Sequence, residues 1–407
     1  MHAYRGMSPS AIQPWQGSVK ISDVKCHVLV ADDFDPGLTS SAQDSLLVVV
    51  TTDEGIEGYG ESDLNPWIGR ACIEAPGTHT MGLGMRELLI GRDPLDIQSV
   101  WNDIYTYTAM NGRRGAVIHA LGAVEMALWD IAGKAAGKPV WQLLGSRRDT
   151  PVVPYASLQP AGKTFEAYRD ALCLSAEKAR QLGFRAVKAE CTMAGPYAHD
   201  GMNESHERHT DLVAAVRETL GPEIALLVDV QYVWRDAETA YATVRDWGEF
   251  DIYFLETPIW PDFLDEHAKL AKLVPFPIAS GEWLSTKWEF VDLIERGGIG
   301  VVQPDVGRVG GIGEARAVCG MAAERDLPVV PHCWKTGVSL SATAHLAFAT
   351  PGISFIEYLP PQLCIEKLRR ELATEDLVFE NGEIHAPTRP GLGVEINWDA
   401  VKAYGQP

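Results

Sequence analysis

Basic charge is scarce in this 407-residue chain. Its 35 Lys and Arg stand against 55 Asp and Glu, a formal net charge of −20. That excludes the basic footprint that nucleic acid or an anionic membrane surface requires. It does not exclude an anionic substrate, because a bound cation and a few local Lys or Arg set the field inside a site. Paired cysteines are missing too. The seven (Cys26, Cys72, Cys173, Cys191, Cys319, Cys333 and Cys364) contain no C-x-x-C, which reads as reduced core thiols in a cytoplasmic protein. Long purely aliphatic runs are absent: Leu46 to Val50 is far too short to span a bilayer. The opening MHAYRGMSPSAIQPWQG has no apolar signal core, so no export signal is expected. Two familiar motifs also fail. His206 and His209 in HERH are not H-E-x-x-H and read as a solvated helix face, while Gly307 to Ala315 is not G-x-G-x-x-G and reads as a Gly-rich loop.

What is present is ordinary globular composition, 46 % hydrophobic and 22 % charged, with length for a barrel of about 250 residues and a second domain. Residues 1–17 read as a loose tail. From Val19 the text alternates, with a hairpin expected around Asp53-Glu54-Gly55. Two loops, Ala31 to Ser45 and Ser62 to Cys72, interrupt it. The run Ile118 to Ile131 is small and apolar nearly all round, as in a buried helix. Strands followed by helices predict an α+β domain over 1–150. From Pro151 strand-like and helix-like segments alternate to ISFIEYL, eight strands in all, which favours a closed α/β barrel over 151–383. The remainder, 384–407, takes in nearly all of a Gly/Pro-punctuated strand, EIHAPTRPGLGVEI, which begins at Glu383 and is expected to pack back on the first domain.

Six barrel segments end on a single polar residue: Asp229, Glu256, Glu282, Asp305, His332 and Glu357. The steps between them are 27, 26, 23, 27 and 25 residues. One strand, one helix and two short loops take about that length, and polar residues at successive strand ends are how a barrel assembles a reaction centre. Asp229, Glu256 and Glu282 converging without counter-charge would repel, and a divalent cation resolves this; all-oxygen ligation points to Mg²⁺ or Mn²⁺ rather than zinc. Asp305 beside His332 would orient the imidazole and raise its basicity, making a general base. Glu357 is placed to hydrogen-bond a substrate. Lys188 and Glu190 in FRAVKAE share one strand face. They read equally as a structural pair or as a site pair in which Lys188 meets a carboxylate or a developing oxyanion. Trp67, Arg70, Trp334 and Lys335 are assigned to the pocket by position, and Arg70 with Lys335 would suit a diacid.

These residues resemble the enolase superfamily, specifically its mandelate racemase subgroup. The matching pieces are MALWDIAGKAAGKPVWQLLG, the FRAVKAE strand, Asp229, Glu256 in LETP, Glu282 in SGE, Asp305 in QPD, His332 in PH and the terminal PGLGVEI. The resemblance implies a (β/α)7β modified TIM barrel under an α+β capping domain built from both chain ends. It implies Mg²⁺ on Asp229, Glu256 and Glu282, a His332–Asp305 acid/base dyad, the two loops as specificity elements, and a homo-oligomer, dimer or octamer. The subgroup's K-x-K strand is here K-x-E. Lys188 matches the Lys that stabilises an enediolate, but Glu190 replaces the second base; Gln231 also stands where Asn is common. Racemisation needs a base on each face of the α-carbon. With the His332 face alone intact, the expected reaction is dehydration of an acid sugar by syn elimination to a 2-keto-3-deoxy acid. A racemase or epimerase using Glu190 is the alternative. A barrel that only binds ligand, or an NAD-linked oxidoreductase, is disfavoured by the intact dyad and triad.

Overall fold

The computed structural model describes residues 19–145 and 151–407, so the tail expected over 1–17 lies outside the described residues. The alternating segment forms β1 (Ile21–Val30), and the expected hairpin follows as β2 (Asp44–Thr52) and β3 (Glu57–Ser62). Gly58 and Gly60 on β3 are there for close approach. A Cβ at either would lie 2.1 Å or 1.8 Å from the carbonyl oxygens of Ala127 and Ala123. Without side chains, the sheet rests directly on the helix Ala116–Ala136. That helix is long and apolar enough to cross a membrane, yet 89 % of its most apolar window is buried inside the protein. An all-round apolar helix is what an all-round packed position demands.

The expected loop from Ser62 to Cys72 is instead largely helical, Pro66–Glu74. Asn65 caps it by accepting from the Ile68 N–H, and Pro66 occupies the first turn. Asn-Pro is a good helix start because the cap supplies an acceptor and proline needs no donor.

The barrel strands are β4 (Pro154–Leu158), β5 (Ala186–Glu190), β6 (Ala225–Asp229), β7 (Ile252–Glu256), β8 (Ile278–Ser280), β9 (Val301–Val302) and β10 (Ile356–Tyr358). They form one parallel sheet ordered β10-β4-β5-β6-β7-β8-β9. The eighth strand expected from the sequence, PVVPH, is reduced to bridges. Val329 bridges Val302 on one side and Ile353 on the other, and the Val330 N–H donates to Val302 O at 3.0 Å. Pro328 and Pro331 bring no N–H to a ladder, which limits the pairing, but the bridges close the ring. Seven helices link the eight strand positions: Phe165–Gln181, His206–Leu220, Ala237–Val244, Leu264–Ala271, Thr286–Arg296, Ile312–Ala323 and Gly337–Ala349. This is the (β/α)7β barrel with an antiparallel capping sheet.

Tyr155, Ala186, Leu227, Phe254, Ala279, Val301 and Val330 form one buried apolar cluster, a layer with one residue from each of seven strand positions. Two places further along, on the same strand face, stand Ser157, Lys188, Asp229, Glu256 and His332. The apolar layer is the floor of the site.

After the short hairpin β11 (Phe379–Glu380) and β12 (Glu383–Ile384), PGLGVEI is irregular rather than a strand. Its Leu392 N–H donates to Asp130 Oδ1 at 2.8 Å. Asp130 also accepts from the Tyr59 N–H and from Lys134 Nζ, so one buried carboxylate joins the capping sheet, its helix and the chain's last segment. The strand that completes the capping sheet is β13 (Gly405–Gln406), paired antiparallel with β1.

Candidate active site

Asp229, Glu256 and Glu282 are buried at the C-terminal mouth of the barrel. Each offers one carboxylate oxygen, and the three atoms lie within 4.8 Å of one another. Asp229 and Glu256 follow from strand alternation; Glu282 does not, because Ala279 already faces inward. Gly281 intervenes with φ 133°, a conformation that breaks the alternation. Past the ends of β6 and β7, Gln231, Tyr232 and Thr257 also have positive φ, at 40°, 60° and 46°. Such residues each store on the order of 1–3 kcal/mol, and they cluster where a site must be aimed. Here the turns place the Gln231 N–H and Thr257 Oγ1 to donate to Asp229 Oδ1 at 2.9 Å and 2.7 Å.

The three ligands suit a hard divalent cation. Glu256 Oε2 is a buried oxygen with no hydrogen-bond partner. Burial pushes the Glu256 carboxyl up to about 8; Lys188 opposes this, and Asp229, Glu357 and Glu282 reinforce it. Burial also raises Glu282. Convergent, partly orphaned carboxylates are the donor set that Mg²⁺ takes.

On the other side of the mouth the His332 Nδ1–H donates to Asp305 Oδ2 at 2.6 Å. Asp305 Oδ1 in turn accepts from the Gly307 and Arg308 N–H groups at 2.7 Å and 3.0 Å, capping the short helix Val306–Val309. The backbone thus orients the carboxylate, the carboxylate orients the imidazole, and Nε2 is left to the cavity. Nε2 lies 3.2 Å from Glu282 Oε2 and 3.8 Å from Glu357 Oε2. Burial lowers the His332 pKa, but Glu357, Glu282 and the Asp305 hydrogen bond outweigh it and raise it to about 9. Glu357 goes the other way: burial raises it, yet Lys188 and His332 bring it down to about 2.

Lys188 takes Glu256 and Glu357 as its partners, at 2.9 Å and 2.7 Å, rather than Glu190. The simple Lys–Glu strand pair is therefore not what the structure contains. Glu190 Oε1 instead accepts from the Thr192 N–H at 3.0 Å and from Thr192 Oγ1. Burial, reinforced by Asp229, raises the Glu190 carboxyl well above the ordinary range.

A cavity of about 220 Å³ opens on these groups. Lys188, Glu190, Asp229, Glu282, His332 and Gln231 line its barrel side, Tyr197, Trp283 and Trp334 give it aromatic walls, and Thr39, Ser40 and Ser41 bring hydroxyls from the capping loop. Of the four pocket residues expected by position, Trp334 lines the cavity and three do not. Trp67 is 43 % exposed on the helix Pro66–Glu74, and Arg70 on the same helix donates to the Pro407 carbonyl at 3.0 Å. Lys335 is buried beneath the capping loop, donating to Asp44 Oδ1 and Asp44 O at 2.8 Å and 2.7 Å and to Ser41 O. A buried ammonium must satisfy its donors with nearby oxygens, and here those belong to the loop.

Arg308 also lines the cavity, with Nη2 donating to the buried Asp63. It lies in the Gly-rich segment set aside above; its signal in the sequence was its position three residues past a strand-end Asp. His209 is buried rather than solvated, its Nδ1 at 3.0 Å from Ser205 O, and no metal cluster forms there among the described residues.

Residues 33–145 match the mandelate racemase / muconate lactonizing enzyme N-terminal domain, and residues 172–400 match the family described as enolase C-terminal domain-like. The chain belongs to the mandelate racemase subgroup of the enolase superfamily. It is 31 % identical to an arabinonate dehydratase of Saccharolobus solfataricus, covering 93 % of this chain and 96 % of that one. It is 29 % identical to a D-galactarolactone cycloisomerase of Agrobacterium fabrum, covering 96 % of this chain and all of the relative. Among solved structures, the 3,6-anhydro-D-galactonate cycloisomerase of Zobellia galactanivorans superposes with a TM-score of 0.82 at 25 % identity, over 95 % of this chain and 100 % of that one.

Proposed function

We propose that this enolase-superfamily member is a Mg²⁺-dependent lyase that dehydrates an acid sugar to a 2-keto-3-deoxy acid. The observation that carries the proposal is asymmetry. One face of the cavity has an imidazole oriented by Asp305 with Nε2 on the cavity side, while Glu190, where a second base would stand, is held by Thr192 and has its carboxyl raised by burial. The dehydratase and cycloisomerases among the relatives support the same class of chemistry.

Asp229, Glu256 and Glu282 would hold the cation, which when bound supplies positive charge to a substrate carboxylate and offsets the ligands' mutual repulsion. His332 Nε2 removes the proton from the α-carbon. The C–H electron pair becomes the α,β double bond as the β-carbon–oxygen bond breaks, and the departing hydroxyl takes the proton back from Nε2–H as water, on the same face. The enol so formed tautomerises to the keto acid. Asp305 keeps the Nδ1–H bound, which fixes the tautomer and stabilises the imidazolium. Lys188, fixed between Glu256 and Glu357, presents an ammonium to the charge that builds on the carboxylate oxygens. If a ring oxygen leaves instead of a hydroxyl, the same residues perform a cycloisomerisation, the second reading favoured by two relatives.

The test is semicarbazide detection of 2-keto acid across a panel of aldonic and aldaric acids with Mg²⁺. His332→Asn should lower turnover by about 10³-fold and abolish α-deuterium exchange. Deuterium exchange with inversion, and keto acid from none of the panel, would make the enzyme an epimerase.

A further inference from the structure

The charge partners in the cavity bear on what the far end of the substrate can be. Three cations line it, and each is already held. Lys188 and His332 belong to the reacting end, with Glu256, Glu357, Asp305 and Glu282 as their partners. Arg308 is engaged at the cavity wall, with Nη2 on Asp63 and Nη1 3.4 Å from the Glu282 carbonyl. Lys335, expected to meet a distal carboxylate, is buried with its donors on Ser41 and Asp44. Among the described residues, no cation lining the cavity is left over for a second anionic group.

The wall facing the reacting groups is neutral. It consists of the Thr39–Ser41 hydroxyls and the rings of Tyr197, Trp283 and Trp334. The loop is pinned in place, with Thr39 Oγ1 donating to Tyr197 O at 3.1 Å and Trp334 Nε1 donating to Ser40 Oγ at 2.9 Å. The hydroxyls, which donate to Tyr197 O, Glu366 Oε1 and Asp63 Oδ2, keep lone pairs to accept from the hydroxyl groups of a polyol chain, and the aromatic faces suit its C–H faces. A carboxylate placed there would lose water without gaining a charge partner, near Glu190 and Glu282, in a chain of net charge −20.

Resting on the dehydratase reading, we infer that the substrate is a monocarboxylic acid sugar, an aldonate, and that the cavity rejects the dicarboxylic aldarate of the same configuration. An unpaired, desolvated carboxylate is worth on the order of 100-fold in discrimination.

The experiment uses the full chain with Mg²⁺ and matched pairs of five- and six-carbon aldonates and aldarates of every configuration. Two quantities are read for each pair: kcat/KM by keto-acid formation, and apparent affinity from titrated thermal shift. The expected result is an aldonate preferred over its matching aldarate by about 100-fold in both. An aldarate turned over as well as or better than its aldonate overturns this inference and leaves dehydration standing. Aldonate binding at that preference with no keto acid supports this inference and sinks the dehydratase reading. Binding and turnover of neither class overturns both.

Discussion

Lys335→Met removes the ammonium that fastens the capping loop to the barrel while keeping most of the side chain's volume. In the native chain this group donates to Ser41 O, Asp44 O and Asp44 Oδ1 and lies 3.4 Å from Asp63 Oδ1. Its own side chain is 1 % exposed, Asp63 4 % and Asp44 26 %. Removing one partner of a buried pair costs about 3–5 kcal/mol. Asp63 keeps Arg308 and Asp44 is partly solvated, which places this case near the lower end, about 3 kcal/mol. For 407 residues, with about 2 cal/mol/K of unfolding entropy per residue, that is a fall in Tm of about 3–4 °C. The loop carries Thr39, Ser40 and Ser41 into the cavity, so its release should also raise KM, by about 10-fold, with kcat within about 3-fold. Steady-state kinetics beside a thermal melt separates the parts. A lower Tm with unchanged KM refutes the link between this anchor and the substrate. A lower kcat at unchanged KM would place Lys335 at the reacting centre instead.

Glu190→Gln should retain keto-acid formation within about 10-fold, because the amide still accepts from Thr192 and no second base is needed; loss of turnover by about 10³-fold would restore Glu190 as an acid/base group. Chelator-treated protein should gain about 2.7 kcal/mol of stability when Mg²⁺ is added at 100 times its Kd, and Glu256→Gln should abolish that gain; a melt insensitive to Mg²⁺ in the native chain removes the metal assignment. His345 is fully buried and neutral, its Nδ1 accepting from the Trp141 N–H and its Nε2 against Leu392 O at 3.1 Å. Burial lowers its pKa to about 4 from 6.5. The unfolded chain therefore takes the proton first as pH falls, and the stability His345 contributes above 6.5 is lost between 6.5 and 4, about 3 kcal/mol in all. In chemical denaturation, the penalty of His345→Asn relative to the native chain should shrink by that amount from pH 7 to pH 4; a constant gap refutes the assignment.

The strand-end period was legible in the sequence because a barrel repeats one unit, and a side chain two places past a packed layer must face the same way. The period located Asp229, Glu256, Glu282, Asp305, His332 and Glu357, and the alternation accounts for how Asp229, Glu256 and His332 face the mouth. It also showed the apolar helix around Ile118–Ile131 as buried, since such a surface has nowhere else to go. The fold class followed from that alternation, joined to the resemblance carried by short motifs.

Other features depended on contacts made across the fold. Glu282 is gathered with the triad although Gly281 breaks the alternation, and no periodicity anticipates a single left-handed residue. Arg308 and Asp63 are separated by 245 residues and meet only because the capping segment lies on the barrel mouth. Lys335 shows the same limit from the other side: its position in sequence, three residues past His332, suggested the cavity, and its contacts with Asp44 and Ser41 place it beneath the loop. Sequence by itself determined which residue types stand at the strand ends, because backbone periodicity is local. Only the tertiary structure decided which charges neutralise one another, because that depends on distances between segments far apart in the chain.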